Sequence, residues 1–162
     1  MDIRPSDNST SRVAIVTGAA GGVGREVVRL LMERKVVVVG VDKKPEISRL
    51  SGEANASFVG CVGDVRDKET SRQAVQLATD RWQRIDILIA TAGCTFPKSI
   101  VDTTEEEWDQ MMDFNVRRIY LLCREVLPAM LRDGGGLLFS CLPSQDLLVC
   151  KVNRGIAALM GQ

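Results

Sequence analysis

The run Thr17-Gly18-Ala19-Ala20-Gly21-Gly22-Val23-Gly24 constrains this chain more than any other stretch. It follows a short apolar segment, Val13-Ala14-Ile15-Val16, that reads as a buried strand. It precedes a helical stretch in which Val23, Val27, Leu30 and Leu31 share one face. Glycines at such a junction let the chain turn tightly, let the backbone approach a pyrophosphate, and let the helix pack hard on the strand. The amides at the helix start then face the phosphates, with the helix dipole behind them. A tight strand-to-helix turn without a ligand is the plainer alternative. Asp42 favours the nucleotide reading, because it ends the next apolar run, Val36 to Val41. An acid there can accept hydrogen bonds from both ribose hydroxyls and repels a 2′-phosphate, so the expected cofactor is NAD, with NADP less favoured. Lys43 and Lys44 follow and temper that preference. The alternative role for Asp42 is a loop-facing helix cap. No GxxxxGK[ST] motif occurs, which excludes a P-loop nucleotidase.

The alternation continues along the chain. Ser57 to Val62 reads as a third strand, Asp67 to Trp82 as a helix, Ile85 to Ala90 as a fourth strand and Glu105 to Leu131 as one long helix. A break at Gly134-Gly135-Gly136 precedes a fifth strand beginning at Leu137 to Phe139, and Arg154 to Met160 reads as the start of another helix. Strands that are apolar throughout, alternating with helices, predict an α/β fold. The expected architecture is a doubly wound, Rossmann-like parallel sheet of about five strands, incomplete at one edge. Residues 1–11 are polar and read as a disordered leader, and 12–162 as a single domain.

Composition narrows the function. The 21 basic and 21 acidic residues cancel, so no broad field draws nucleic acid or an acidic membrane. The absence of histidine removes Ser-His-Asp and Cys-His nucleophile pairs and His-ligated metals. Five cysteines without a CxxC pair argue for a reducing, cytoplasmic setting and against a zinc site or disulfide framework. No apolar run approaches the length of a membrane span.

Taken in order, several motifs resemble those of the short-chain dehydrogenase/reductase family, over about Arg12 to Gly136. Thr17, Gly18, Gly22 and Gly24 match its TGxxxGxG loop. Asp64-Val65 looks like the acid-Val pair at the adenine ring, and Ala92-Gly93 like the end of the NNAG motif, with Ala90 and Thr91 where the two asparagines would stand. Asn115 in Phe114-Asn115-Val116 matches the helix asparagine that shapes the proton relay, and Pro128 also fits. The resemblance implies hydride transfer between a nicotinamide and a small alcohol or carbonyl substrate. It implies Gly18, Gly22, Val23, Gly24, Asp42, Asp64, Val65, Ala92 and Gly93 as the cofactor site. Asn115 and either Ser140 or Ser144 are the candidate catalytic positions, and no metal is implied.

The catalytic half departs from the family pattern. A tyrosine normally exchanges the proton, with a lysine four residues later lowering its pKa. The single tyrosine here, Tyr120, lies in the long helix, and its YxxxR pairing with Arg124 reads as helix packing. Carrying the family register back from Gly155-Ile156-Ala157-Ala158-Leu159 puts Val149 at the tyrosine position and Asn153 at the lysine position. The tail therefore reads as a truncated or internally deleted copy of the fold, with impaired or absent turnover and a tendency to self-associate. The competing expectation is a non-catalytic nucleotide-binding or interaction module that pairs with an intact homologue. A methyltransferase using S-adenosylmethionine also likes such a glycine loop and acid, but the TGxxxGxG spacing and Asn115 argue against it.

Overall fold

The computed structural model of the chain describes residues 11–49, 57–93, 98–141 and 147–152. Six strands form one sheet. In chain order they are β1 (Val13–Thr17), β2 (Val37–Asp42), β3 (Phe58–Val62), β4 (Ile87–Ala90), β5 (Gly136–Cys141) and β6 (Leu147–Val152). Their order across the sheet is β3-β2-β1-β4-β5-β6. All neighbours run parallel except β6, which is antiparallel to β5. The helices are α1 (Gly22–Glu33), the short α2 (Glu46–Arg49), α3 (Lys68–Trp82), α4 (Glu105–Met112) and α5 (Arg118–Arg132).

β1 lies at the centre, and all five of its residues are buried. Alternate residues feed the two faces. Val13 and Ile15 join Val39, Val41, Ala74, Ala78, Leu122, Val126 and Met130 under α3 and α5. Ala14 and Val16 join Val28, Val38, Ile47 and Phe58 under α1 and α2. Cover on both sides explains why these strands are apolar throughout rather than at every second position. On the far rim, Asp86 pins β1 by accepting the Val13 N–H at 2.8 Å, and Arg84 holds that carboxylate in turn.

Three features differ from the sequence reading. The apolar face of α1 is turned: Gly24 and Val28 are buried, whereas Val23 is 61% exposed and Leu30 also faces outward. Gly24 must touch the glycine loop, and that contact sets the helix phase. The long helix is broken by a single π turn, Asp113–Arg117, between α4 and α5. The sequence places the fifth strand at the sheet edge, yet β5 is covered by β6, with Leu137 opposite Lys151 and Phe139 opposite Val149. The open edge is therefore one strand further out. Of the expected leader only Ser11 is among the described residues. Residues 1–10, the helix start at Arg154 and Ser144 lie outside them.

Candidate functional site

The strand order reverses direction at β1, whose neighbours are β2 and β4. Chains leaving β1 and β4 diverge there and leave a crevice at the carboxyl ends of the strands, the usual ligand position in an open α/β sheet. A cleft of about 390 Å³ occupies this place. Its walls include Gly18, Gly22, Val23, Gly24, Asp42, Asp64, Val65, Ala92 and Gly93, so the structure brings all nine candidate cofactor residues to one cavity.

The glycine loop is held by its own backbone. The Gly21 N–H donates to the Gly18 carbonyl at 2.9 Å, and the Arg25 N–H to Gly21 at 2.9 Å. Gly18 takes φ +68°, a conformation disfavoured for residues with a Cβ. A Cβ on Gly24 would press into the backbone of Gly18 and Ala19, whereas one on Gly22 would meet no protein atom within 4 Å. The loop thus needs one glycine for helix-to-loop contact and leaves the space beside another open toward the cleft. Thr91 Oγ1 donates to the Thr17 carbonyl at 2.6 Å, tying the end of β4 to the loop. Gly21 at the N-cap makes no side-chain cap, so no side chain competes for the first-turn amides of α1.

Asp42 is 9% exposed. Its Oδ2 accepts the Ala20 N–H at 3.0 Å and its Oδ1 the Lys44 N–H at 3.0 Å. Asp42 caps no helix, since the N-cap of α1 is Gly21; its carboxylate instead ties the glycine loop to the end of β2 and still borders the cavity, with unused lone pairs on both oxygens. Asp64 is clasped by Arg66, whose guanidinium hydrogen bonds are the main cause holding the Asp64 carboxyl below the usual aspartate range. Gly21, Lys43, Lys44, Gly63, Thr91 and Phe114 also line the cavity. Phe114 comes from the π turn, far along the chain, and no local pattern marks it as a wall of the cleft.

The candidate catalytic positions are placed differently. Ser140 lies in register with Ala90 of β4, which is itself in register with Thr17 of β1, so it shares the rim of the sheet that carries the cleft. It is buried, and its Oγ makes no hydrogen bond among the described residues. Asn115 sits in the π turn beside Phe114 and is half-buried. Neither Asn115 nor Ser140 is part of the cleft wall. Tyr120 is 57% exposed on α5, accepts a hydrogen bond from Arg124 at 3.1 Å and lies away from the cleft. Val149 is in β6, so this segment forms a strand instead of the helical turn that would set a tyrosine and lysine four residues apart on one face. Among the described residues there is no group of three metal-ligating side chains, and no helix is long and apolar enough to cross a membrane.

An open, mostly parallel sheet with a glycine-lined crevice at its switch point defines a Rossmann-like α/β domain. Residues 12–140 match the short chain dehydrogenase family model, and the chain belongs to that family. An NAD-dependent glycerol dehydrogenase from Listeria innocua is 32% identical over 130 residues, which covers 80% of this chain and 51% of that protein. Among solved structures, a 3-ketoacyl-ACP reductase from Sinorhizobium meliloti superposes with a TM-score of 0.71 at 28% identity, covering 79% of this chain and 52% of its own. A short-chain dehydrogenase from Streptomyces avermitilis gives 0.73 at 26% identity, covering 81% and 49%. The chain spans about half the length of the glycerol dehydrogenase it matches.

Proposed function

We propose that the cleft binds a nicotinamide dinucleotide, NAD in preference to NADP, and that the chain is an oxidoreductase domain of its family with impaired turnover. The observation that carries the first part is the convergence of the open glycine loop, Asp42 and Asp64 on one cavity at the switch point. The residues suit the group. The amides at the start of α1 would hold the pyrophosphate, the Asp42 carboxylate the adenosine ribose, and the part of the wall that includes Asp64 and Val65 the base. When bound, the nicotinamide supplies hydride exchange with an alcohol or carbonyl carbon. This chain's contribution is to orient the dinucleotide and, at Ser140 and Asn115, to offer a hydroxyl and an amide near the same rim. Ser144 is the alternative serine.

The impaired-turnover part rests on Tyr120 lying outside the cleft and on 147–152 being strand. Loss of a general acid alone lowers rates by roughly a hundred- to ten-thousand-fold. The same observations favour a second reading, a nucleotide-binding module that pairs with an intact homologue. Exposed Trp108, Met112, Val116 and Tyr120 along α4 and α5 offer an apolar surface for such pairing or for self-association.

The test is a fluorescence titration with NADH and with NADPH, followed by a turnover assay with small polyols and ketones. Saturable binding that prefers NADH, with negligible turnover, is the expected result. Binding of neither dinucleotide would sink the cofactor reading, and ready turnover would sink the claim of impairment. Copurification with a full-length homologue would favour the second reading.

A further inference from the structure

The two edges of the sheet are not alike. At one, β3 is interrupted by Gly60, and a Cβ there would run into the backbone of α2 at Ile47 and Ser48. A glycine inside a strand weakens it as a template for pairing. At the other edge β6 is unbroken. It pairs with β5 at every position from Leu147 to Val152, without a bulge. Among the described residues no strand takes up its outer backbone groups. Edge strands that stay single are blunted by prolines, bulges or charges. The run Leu147-Leu148-Val149-Cys150-Lys151-Val152 holds no proline or glycine, and the exposed Lys151 is its one charge.

Such an edge accepts another strand through main-chain hydrogen bonds. The placement of charge favours a second copy of the same chain. Residues along a strand turn their N–H and C=O groups to one edge and the other in alternation. When β6 pairs with its own copy about a two-fold axis, outward-turned residues must therefore meet outward-turned residues. Two such registers overlap over most of the strand. One sets Val149 opposite its twin and Lys151 opposite Leu147, and the other sets Cys150 opposite its twin and Lys151 opposite Val149. In neither does Lys151 meet Lys151. The charges of the whole chain also cancel, 21 against 21, so two copies approach without net repulsion.

We propose that the outer edge of β6 docks a second copy of this chain, the two six-stranded sheets joining there, antiparallel and about a two-fold axis, into one continuous sheet. A contact of this kind is self-complementary. It does not rest on the dinucleotide reading, and it uses main-chain groups of β6 rather than the exposed face of α4 and α5.

The experiment is analytical ultracentrifugation at concentrations up to about 100 μM, with circular dichroism to check each fold. The proteins are the parent, Val149→Lys, Val149→Glu and Tyr120→Glu. The parent is expected to sediment at twice the 17.7 kDa of one chain. Val149→Lys sets like charges face to face in both registers, so the dimer Kd should rise by about tenfold or more. Glutamate at that position restores pairing, either alone against Lys151 or mixed with Val149→Lys, and whichever works identifies the register. Tyr120→Glu should dimerise like the parent. A monomeric parent overturns the proposal. Loss of the dimer in Tyr120→Glu overturns it by moving the contact to the helices, and failure of both glutamate pairings overturns it by making the lysine effect merely structural. If Val149→Lys does not fold, amide exchange of the parent decides. Protection across 147–152 should rise with protein concentration, and protection independent of concentration means that the edge is covered within one chain and overturns the proposal.

Discussion

Alanine at Gly24 and alanine at Gly22 should have opposite consequences, although two positions separate them. A Cβ on Gly24 would stand 2.7 Å from the Gly18 carbonyl carbon and 3.0 Å from the Ala19 Cα, and closer still to the Gly18 oxygen. Backbone cannot swing aside like a side-chain end, so α1 must retreat from the loop by roughly 0.7 Å or more to reach ordinary contact. Overpacking of this kind costs about 1–3 kcal/mol, offset by about 0.5–1 kcal/mol from the better helix propensity of alanine. The net loss, centred on about 1 kcal/mol and reaching about 2.5 kcal/mol, lowers the melting point by roughly 2–4 °C for each kcal/mol in a domain of this size. At Gly22 a Cβ meets nothing within 4 Å, so melting should match or slightly exceed that of the parent. Gly22 lines the cleft, and under the proposed dinucleotide reading a methyl there crowds the pyrophosphate, so NADH affinity should fall at least about tenfold, the equivalent of about 1.4 kcal/mol. Thermal melts and NADH titrations run side by side on both variants check this. Unchanged affinity in Gly22→Ala would refute the phosphate cradle, and an unchanged melt in Gly24→Ala would refute the loop packing.

The same geometry sets three other expectations. Asp42→Asn keeps an acceptor for the Ala20 N–H but loses the charge that repels a 2′-phosphate, so the ratio of NADH to NADPH affinity should drop about tenfold, read by paired titration. Asp64 has a depressed carboxyl, so its pairing with Arg66 stabilises the fold above the ordinary aspartate range, and that contribution fades as pH falls through the depressed value. Urea melts of the parent and Arg66→Met should differ by about 0.5 kcal/mol at neutral pH, since the pair is part-exposed and screened, and should converge under strong acid. Burial pushes the Cys61 thiol up, so peptide-resolved alkylation at neutral pH should label Cys61 well after half-buried Cys123; faster labelling of Cys61 would contradict its burial in the sheet.

The half of the molecule that carries the proposed dinucleotide cleft is legible because its signals are local. A glycine loop, an acid at a strand end and an acid-Val pair each declare themselves within a few residues, and the parallel sheet brings them together without further instruction. Helix phase was harder. Val23, Val27, Val28, Leu30, Leu31 and Met32 surround much of α1, and the buried side is chosen by Gly24 against the loop, a contact no periodicity reveals. The π turn hid for a similar reason, since one extra residue leaves hydrophobic spacing plausible on either side. β6 is not legible because a short run of five apolar residues and Lys151 does not distinguish strand from helix, and the family register suggests helix. Arg66 and Phe114 meet only in three dimensions.

The antiparallel pairing of β6 has a consequence for the order in which the sheet assembles. Cys141 lies opposite Leu147, a near neighbour in the chain, whereas Ala14 of β1 waits for Ile87 of β4. Closing the longer loop costs more entropy, by about 2 kcal/mol on the logarithmic scaling of loop length. The β5–β6 ribbon can zip locally while the central strands still search for one another, and topology of this kind governs folding speed. The outer rim of the molecule is then the part whose pairing depends least on the cleft, and in native-state hydrogen exchange its ladder should open independently of the strands that frame the glycine loop.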